Sequence, residues 1–235
     1  MKCAVHQPHF FPWLGYLAKI ASADVFILLD DVQFTRRNFQ NRCKIISTNG
    51  AENWLSVSLT SAPQTHRINQ MLISPAFQPD PLMAKLDAVY KKSPYYQLYR
   101  DEIHSLLQVT HPHLKTLTIQ TMQWLLKVLK IPTHLNYLSS ALSLPADIDP
   151  NQRIIKLCHF HGANQYIAGS GGKNYMDVEQ FREANIEILW QDFKQHPIKY
   201  NSVDGKFHFG LSSLDALFSL GPIETRELVY SHVIS

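Results

Sequence analysis

The stretch KCAVHQPHFFPWLGYLAKIASADVFILLDD (residues 2–31) decides the fold. Its first five residues predict a short buried strand that ends at Gln7-Pro8, and the five large apolar residues from Val25 to Leu29 predict a second strand. Between them, apolar residues at helical spacing follow Pro12. A strand, a helix and a fully buried strand within about thirty residues indicate the β-α-β opening of a parallel sheet that is covered on both faces.

The rest of the chain divides into a helical middle and a second alternating part. Prolines 81, 94 and 112 each begin a predicted helix, so a helical segment spans about 80–131; two weaker strands, 54–59 and 71–74, precede it. Beyond it we predict strands at 133–138, 165–168 and 186–190 and helices at 150–161 and 175–184. We therefore expect a single α/β domain over residues 1–235, with a mainly parallel, Rossmann-like sheet and the helical segment as an insertion or lobe.

Composition excludes several classes of protein. Apolar residues make up 45% of the 235 residues and charged residues 17%, which excludes a disordered chain. The net charge, 22 − 19 = +3, is too mild for a nucleic-acid binder. The three cysteines are isolated, which indicates a reducing compartment, and no apolar run is long enough for membrane insertion. We expect a cytoplasmic protein whose oligomeric state is undetermined by the sequence.

The first candidate functional segment follows the first predicted strand, because ligands of open parallel sheets bind beyond the carboxyl ends of strands. His6-Gln7-Pro8-His9 places a histidine, an amide and a helix N-terminus in one stiff turn. We predict His6 as a catalytic base and Gln7 as a substrate ligand. The alternative is a tight proline turn with a purely structural role.

The second candidate segment, residues 30–42, follows the second strand and carries charges of both signs. Buried carboxylates at a strand end require a cation, a metal or hydrogen-bond donors, and three arginines are near in sequence. A polar wall for a substrate is one interpretation, and a solvated, self-paired loop is the other. The predicted substrate-binding residues of this segment are Asp30, Asp31, Arg36, Asn41 and Arg42.

Two further segments follow the last two predicted strands. A glycine-rich loop offers bare backbone amides to a phosphate, carboxylate or oxyanion, and a structural turn is its alternative reading. The predicted substrate-binding residues there are Gly169, Ser170, Gly171, Gly172, Lys173 and Tyr175. In the last segment, Asp192 and His196 form a candidate oriented base. No metal site and no cofactor are predicted, because the histidine pairs lack completing ligands and no phosphate-binding glycine motif is present.

Several blocks in this order resemble the WbqC-like family of bacterial proteins over nearly the whole chain. The blocks are HQPHFFPWLGYLAKIASADVFILLDDVQF (6–34), RNFQNR (37–42), AGSGGKNYMD (168–177), DFKQHP (192–197) and the segment 210–218. Members of this family are found in surface-polysaccharide and natural-product gene clusters. The resemblance therefore implies a biosynthetic role.

Three functions are consistent with these residues. The first is an enzyme of acyl-group chemistry, which transfers an activated acyl group to an amino sugar or hydrolyses a thioester, with His6 or His196 as base and a small-molecule or carrier-bound acyl substrate. The second is a nucleotidyl-transfer enzyme, since such enzymes place an H-x-x-H pair at the first strand end. The third is a non-catalytic module that binds a sugar nucleotide or a partner.

Overall fold

The residues that the structure describes form seven strands and eight α-helices. The computed structural model describes residues 1–63, 65–108, 110–133, 135, 137–193 and 196–234. The strands are β1 (Lys2–His6), β2 (Val25–Leu28), β3 (Arg42–Ile46), β4 (Glu52–Ser56), β5 (Tyr137–Leu138), β6 (Gln165–Gly169) and β7 (Glu187–Gln191). The helices are α1 (Leu14–Ser22), α2 (Asp80–Tyr90), α3 (Tyr96–Leu107), α4 (Leu114–Val128), α5 (Pro150–Phe160), α6 (Val178–Glu183), α7 (Ser213–Leu220) and α8 (Pro222–Tyr230).

The central sheet has five parallel strands in the order β5-β2-β1-β6-β7. The chain moves outward from β1 in one direction through β2 and β5, and in the other direction through β6 and β7. This is the doubly wound, Rossmann-like arrangement, in which the strand order reverses between β1 and β6. The prediction of an α/β fold with a mainly parallel sheet and a helical segment in the middle of the chain is confirmed.

Two apolar clusters cover the two faces of the sheet, and the alternation of side chains along each strand separates them. Ala4 and Phe26 belong to the larger cluster, together with residues of α1, the helical middle, α7 and the β3–β4 hairpin. Cys3 and Val5 belong to the smaller cluster, with residues of α5 and α6. All three cysteines are buried free thiols, so their side chains serve as packing residues.

The segment before the helical middle differs from its prediction. Residues 42–46 form an antiparallel hairpin with 52–56, so the strand predicted at 54–59 is shorter and has an unpredicted partner. The prediction of a strand at 71–74 is wrong. Leu72 and Ile73 form only isolated bridge pairs, because their backbone groups form hydrogen bonds with two different loops. In β3, the part-exposed Arg42 and Lys44 alternate with the buried Cys43 and Ile45, a half-buried strand pattern that was not predicted.

Element boundaries in the second alternating part follow local capping. Helix α5 begins after Asp149, whose carboxylate accepts hydrogen bonds from the backbone N–H groups of Asn151 and Gln152. Helix α6 begins at Val178 rather than at the predicted residue 175, because Asp177 caps it and residues 170–174 form a separate 3₁₀ turn. The predicted strand at 133–138 includes residues 134 and 136, which lie outside the described residues. Among the described helices, none has the length and apolar character needed to cross a membrane.

Candidate functional site

The carboxyl ends of β1 and β6 form the candidate site, because open α/β sheets bind ligands where the strand order reverses. Strand β1 pairs with β2 from Cys3 to His6, whereas its pairing with β6 involves Lys2 and Cys3, at the opposite end. The strands therefore separate toward His6.

Three rings meet at the end of β1. The His6 and His9 ring centroids are 4.8 Å apart, and each lies within 4.8 Å of the ring of Tyr16 on the first turn of α1. His9 is stacked between Tyr16 and Phe39, whose ring centroid lies 5.3 Å away. Pro8 and Pro12 stiffen the turn that holds these rings. The structure thus joins the two histidines of the H-x-x-H segment in one cluster.

The hydrogen bond of His6 fixes the orientation of its imidazole. Its Nδ1 lies 3.1 Å from the carbonyl oxygen of Gln7, and because a carbonyl can only accept, Nδ1 donates the proton. Burial, and secondarily the charge of Lys19, lowers the pKa of His6 to about 3. His6 is therefore a neutral imidazole at pH 7, and its Nε2 carries a lone pair that can accept a proton.

His9 is the more buried of the two histidines, with 6% of its surface exposed. Desolvation by burial, followed by the nearby positive charges that His6 and Lys19 can carry, lowers the pKa of His9 well below its usual value. Its Nδ1 has no hydrogen-bond partner among the described residues. An imidazole held in this way contributes stacking to the cluster and leaves one nitrogen unsatisfied.

Lys19 adds a buried cation that the sequence analysis did not identify. Its Nζ donates a 3.3 Å hydrogen bond to the carbonyl oxygen of Val5 and lies 5.7 Å from the centroid of the Tyr166 ring on β6. Within the described part of the chain it takes part in no ion pair, and burial lowers its pKa to about 8. The buried ammonium itself creates a positive potential at this end of β1.

Gln7 is held from two sides by residues that the sequence analysis also missed. Gln40 Nε2 donates a 2.5 Å hydrogen bond to the side-chain oxygen of Gln7, and the Tyr16 hydroxyl donates to the Gln7 carbonyl oxygen at 2.8 Å. Thr118 on α4 in turn donates to the carbonyl oxygen of Gln40. Tyr16 and Lys19 stand three residues apart on α1 and so share one face of the helix, which is the signal in the sequence that could have grouped them.

Asp30 and Asp31 lie at the end of β2. Their carboxylates pair with basic side chains of two helices and not with the arginines near them in sequence. Asp30 is fully buried; Lys115 of α4 donates to it at 3.0 Å, as does the Ser140 hydroxyl. Asp31 accepts a 2.6 Å hydrogen bond from Arg153 Nη1 of α5. Each carboxylate is therefore compensated inside the fold, and its predicted role in substrate binding remains a prediction.

The arginines of segment 30–42 do not pair with Asp30 or Asp31 and instead contact an aromatic ring and backbone carbonyl oxygens. The guanidinium of Arg42 lies over Trp54, 3.9 Å from the ring centroid, and donates to the carbonyl oxygen of Arg37. Arg36 donates to the carbonyl oxygen of Ala62 at 3.2 Å. The amide of Asn41 donates to the carbonyl oxygen of Val57 at 2.8 Å. These contacts fasten the segment to the chain that follows β4.

The glycine-rich loop forms the 3₁₀ turn Ser170–Asn174. An added Cβ at Gly169 or Gly171 would meet nothing within 4 Å, so the backbone there is open to a ligand, whereas Gly172 packs against Met176 and Trp190. Lys173 Nζ lies 3.7 Å from the carboxylate of Asp192. The Tyr175 side chain is exposed.

His196 is exposed, and its backbone N–H donates to the carbonyl oxygen of Asp192 at 3.0 Å. Residues 194 and 195 of the DFKQHP block lie outside the described residues. Within the described ranges, no hydrogen bond or ion pair joins His196 or the glycine-rich loop to His6. The catalytic roles of His6, His196 and Asp192 remain predictions.

Among the described residues, no three His, Cys, Asp or Glu side chains converge in a way that could hold a metal ion. The site instead offers neutral imidazoles, a buried ammonium and amide groups. Such groups bind carbonyl oxygens, carboxylates and phosphates.

Comparison with known proteins gives a family and a relative. The sequence model described as "WbqC-like protein family" matches residues 7–227. The chain is 27% identical over 222 residues to an uncharacterized protein of Mycobacterium tuberculosis, Rv1507c, and the match covers 94% of each chain. No solved structure matches this chain.

Proposed function

Because this chain belongs to the WbqC-like protein family, we propose that it is a biosynthetic enzyme of acyl-group chemistry that acts in a surface-polysaccharide or natural-product pathway. In this proposal it moves an activated acyl group from a thioester onto the amino group of a sugar, and hydrolysis of the thioester is the variant in which water replaces the amine. The acyl donor is a small molecule or a carrier-bound group.

The observation that carries the proposal is the imidazole of His6. It is neutral, its tautomer is set by the Gln7 carbonyl oxygen, and it lies at the carboxyl end of β1, where the strand order reverses. A base in this position can reach a ligand in the crevice above the sheet. The buried ammonium of Lys19 supports an anionic donor or a developing negative charge at the same place.

The reaction would proceed by proton transfer through His6. The neutral amine attacks the acyl carbonyl carbon, and Nε2 of His6 accepts the proton that the nitrogen loses. The carbon–sulfur bond then breaks, and the imidazolium returns the proton to the departing thiolate, which gives an amide and a free thiol. A low pKa weakens His6 as a base but makes its protonated form a strong acid, which favours the second step.

Open backbone at Gly169 and Gly171 supports a role for the glycine-rich loop in holding the acyl oxygen, as predicted from the sequence. Both residues are exposed at the carboxyl end of β6, the strand that neighbours β1. A carbonyl oxygen that becomes negative would lie between these amides and the charge of Lys19.

The test compares His6→Ala with His111→Ala, a variant at an exposed histidine outside the site. Release of free thiol from a panel of acyl-CoA and acyl-carrier thioesters is measured, with and without amino sugars. We expect His6→Ala to reduce turnover by about 10²–10⁴-fold at a temperature where its melting curve shows it to be folded, although loss of the ring contacts lowers its melting temperature, and His111→Ala to retain turnover. An active His6→Ala variant would contradict the proposal.

His196→Ala belongs in the same experiment, because the sequence predicts His196 as a second base. We expect this variant also to lose activity without loss of stability, since the side chain is exposed. Full activity would remove His196 and Asp192 from the mechanism and leave His6 as the base.

A second candidate, nucleotidyl transfer, is favoured by one observation: the contact between the His6 and His9 rings, three residues apart, at the end of the first strand of a doubly wound sheet. This is a likeness of layout only. A rise in melting temperature with ATP or CTP, and release of pyrophosphate, would support it. Ligand binding without any turnover would instead indicate a non-catalytic module.

A further inference from the structure

A concave surface lies beyond the end of β2, and we call it the arginine cleft. It is lined by residues 33–37 and 57–63 together with Asn41 and Met71, and its volume is about 730 Å³. This volume is within the range of sites that bind small molecules, which is roughly 300–1,000 Å³. Two of its residues, Arg36 and Asn41, are predicted substrate ligands, although the sequence does not indicate a cavity.

The charge of the arginine cleft is positive. Arg36 and Arg37 both line it with exposed side chains, and none of its described lining residues is an Asp or a Glu. In the described part of the chain, neither guanidinium takes part in an ion pair. Planar guanidinium groups that lack a carboxylate bind phosphate oxygens in pairs of hydrogen bonds.

The other polar groups of the cleft suit the hydroxyls of a sugar. Thr35, Ser58 and Ser61 contribute exposed hydroxyls, each of which can both donate and accept. The Asn41 amide uses its N–H₂ group on the Val57 carbonyl oxygen, which orients its side-chain oxygen as an acceptor. Val57 and Met71, both buried, supply apolar surface between these groups.

One loop connects the arginine cleft to the candidate catalytic site. Asn41 lines the cleft, and its neighbour Gln40 donates the hydrogen bond to Gln7; Cα atoms of consecutive residues are about 3.8 Å apart. Phe39, one residue earlier, stacks on His9, and its carbonyl oxygen accepts a 2.9 Å hydrogen bond from the backbone N–H of Phe10. A ligand in the cleft therefore lies on the same short loop that holds Gln7 and His9.

We propose that the arginine cleft binds the phosphate-bearing end of a phosphorylated sugar, with Arg36 and Arg37 on the phosphate and the hydroxyl and amide side chains on the sugar. This inference rests on the proposed function, for which it supplies the class of acyl acceptor. Sugar 1-phosphates and nucleoside-diphosphate sugars share the required chemistry. The cleft is a binding site, and His6 takes no part in it.

Titration calorimetry tests the proposal with four probes: glucosamine 1-phosphate, UDP-glucosamine, glucosamine and inorganic pyrophosphate. The double variant Arg36→Gln, Arg37→Asn removes both charges; asparagine suits position 37 because its φ of +61° is left-handed. Arg226→Gln is the matched control, since Arg226 lies on α8 with its guanidinium over Tyr230.

We expect the wild type to bind at least one of the two phosphorylated sugars more tightly than glucosamine or pyrophosphate. The double variant should weaken that binding tenfold or more with an unchanged melting temperature, and the control should remain within twofold. Tighter binding of the UDP-sugar identifies a nucleotide-linked acceptor, whereas comparable or tighter binding of the 1-phosphate identifies a simple sugar phosphate.

Three results would overturn the inference: no binding of either phosphorylated sugar, unchanged binding by the double variant, or pyrophosphate binding as tightly as the sugars. His6→Ala separates the two proposals. It should bind the phosphorylated sugar normally, since His6 lies outside the cleft. Binding that is retained while no thioester is consumed by the wild type would leave the cleft assigned and the acyl-group function refuted.

Discussion

At the scale of single residues, Lys19 has the most unusual environment in the candidate site. Its side chain is 6% exposed, and its charge is met by one carbonyl oxygen and the face of the Tyr166 ring. Burial of an ammonium destabilises the charged form, which is why its pKa falls from 10.5 to about 8. A buried ammonium held at this energetic cost is consistent with a role in binding an anion.

Lys19→Met should therefore stabilise the protein. The folded pKa lies below the unfolded one, so the protein loses stability as pH falls from about 10.5 to about 8, and the full penalty, about 3 kcal/mol, is present at pH 7. The substitution also removes the hydrogen bond to Val5, which offsets part of this benefit. We therefore expect the free energy of unfolding to rise by about 1–3 kcal/mol at pH 7 and by less at pH 10. Urea unfolding at both pH values measures it, with the exposed Lys127→Met as control. A net destabilisation at pH 7 would contradict this account.

At the scale of elements, buried ion pairs attach the end of β2 to two helices. Asp30 binds Lys115 of α4, and Asp31 binds Arg153 of α5, whose Nη2 also donates to the carbonyl oxygen of Pro145. Both carboxylates also accept hydrogen bonds from the Ser139 hydroxyl, beside β5. The carboxyl end of β2, the strand next to β1 and His6, is thus held in place by a lysine from α4 and an arginine from α5.

Arg153→Met tests this attachment. Removal of the guanidinium leaves the Asp31 carboxylate buried without its partner, and we expect a loss of about 3–5 kcal/mol of unfolding free energy. The double variant Asp31→Asn, Arg153→Met should recover part of the lost unfolding free energy, because no charge is then left unpaired. Thermal and urea unfolding measure the effect. Arg182→Gln breaks the exposed pair with Glu179 and should leave the melting temperature nearly unchanged; equal losses in both variants would contradict the burial argument.

At the scale of the whole molecule, buried histidines make the fold sensitive to acid. The pKa values of His6 and His9 are lowered by burial, so their contribution to stability is complete above the unfolded value of about 6.5 and is lost as pH falls toward the folded values. Asp215 acts in the opposite direction: burial raises its pKa, so its contribution is present at low pH and is lost as pH rises through the folded pKa.

We expect the melting temperature to fall steadily from pH 7 to pH 4.5, since two histidines outweigh one carboxyl. His9→Phe should make this decline shallower, because a phenyl ring keeps the stacking between Tyr16 and Phe39 and takes up no proton. Scanning calorimetry across this pH range measures both slopes. His111→Gln, at an exposed position, should keep the wild-type slope, and an equal slope in His9→Phe would exclude His9 as a source of acid sensitivity.

The pattern of residues along the chain was sufficient for the class of fold. Five consecutive apolar residues after Asp24 and the alternation after residue 150 required strands buried on both faces, and such strands form parallel sheets. The position of His6 and Gln7 at a strand end also followed from local sequence, because Pro8 stops the strand. These features depend on neighbours in the chain, which a sequence displays directly.

The tertiary structure alone decided which groups meet. Asp31 and Arg153 are 122 residues apart, and Gln7 and Gln40 are 33 apart, so no local pattern could pair them. The strand order β5-β2-β1-β6-β7, which places His6 beside the point where the order reverses, also arises from the packing of helices on both faces. Desolvation depends on how completely the rest of the chain covers a side chain, and for this reason the altered pKa values of His6, His9 and Lys19 became visible only in the folded molecule.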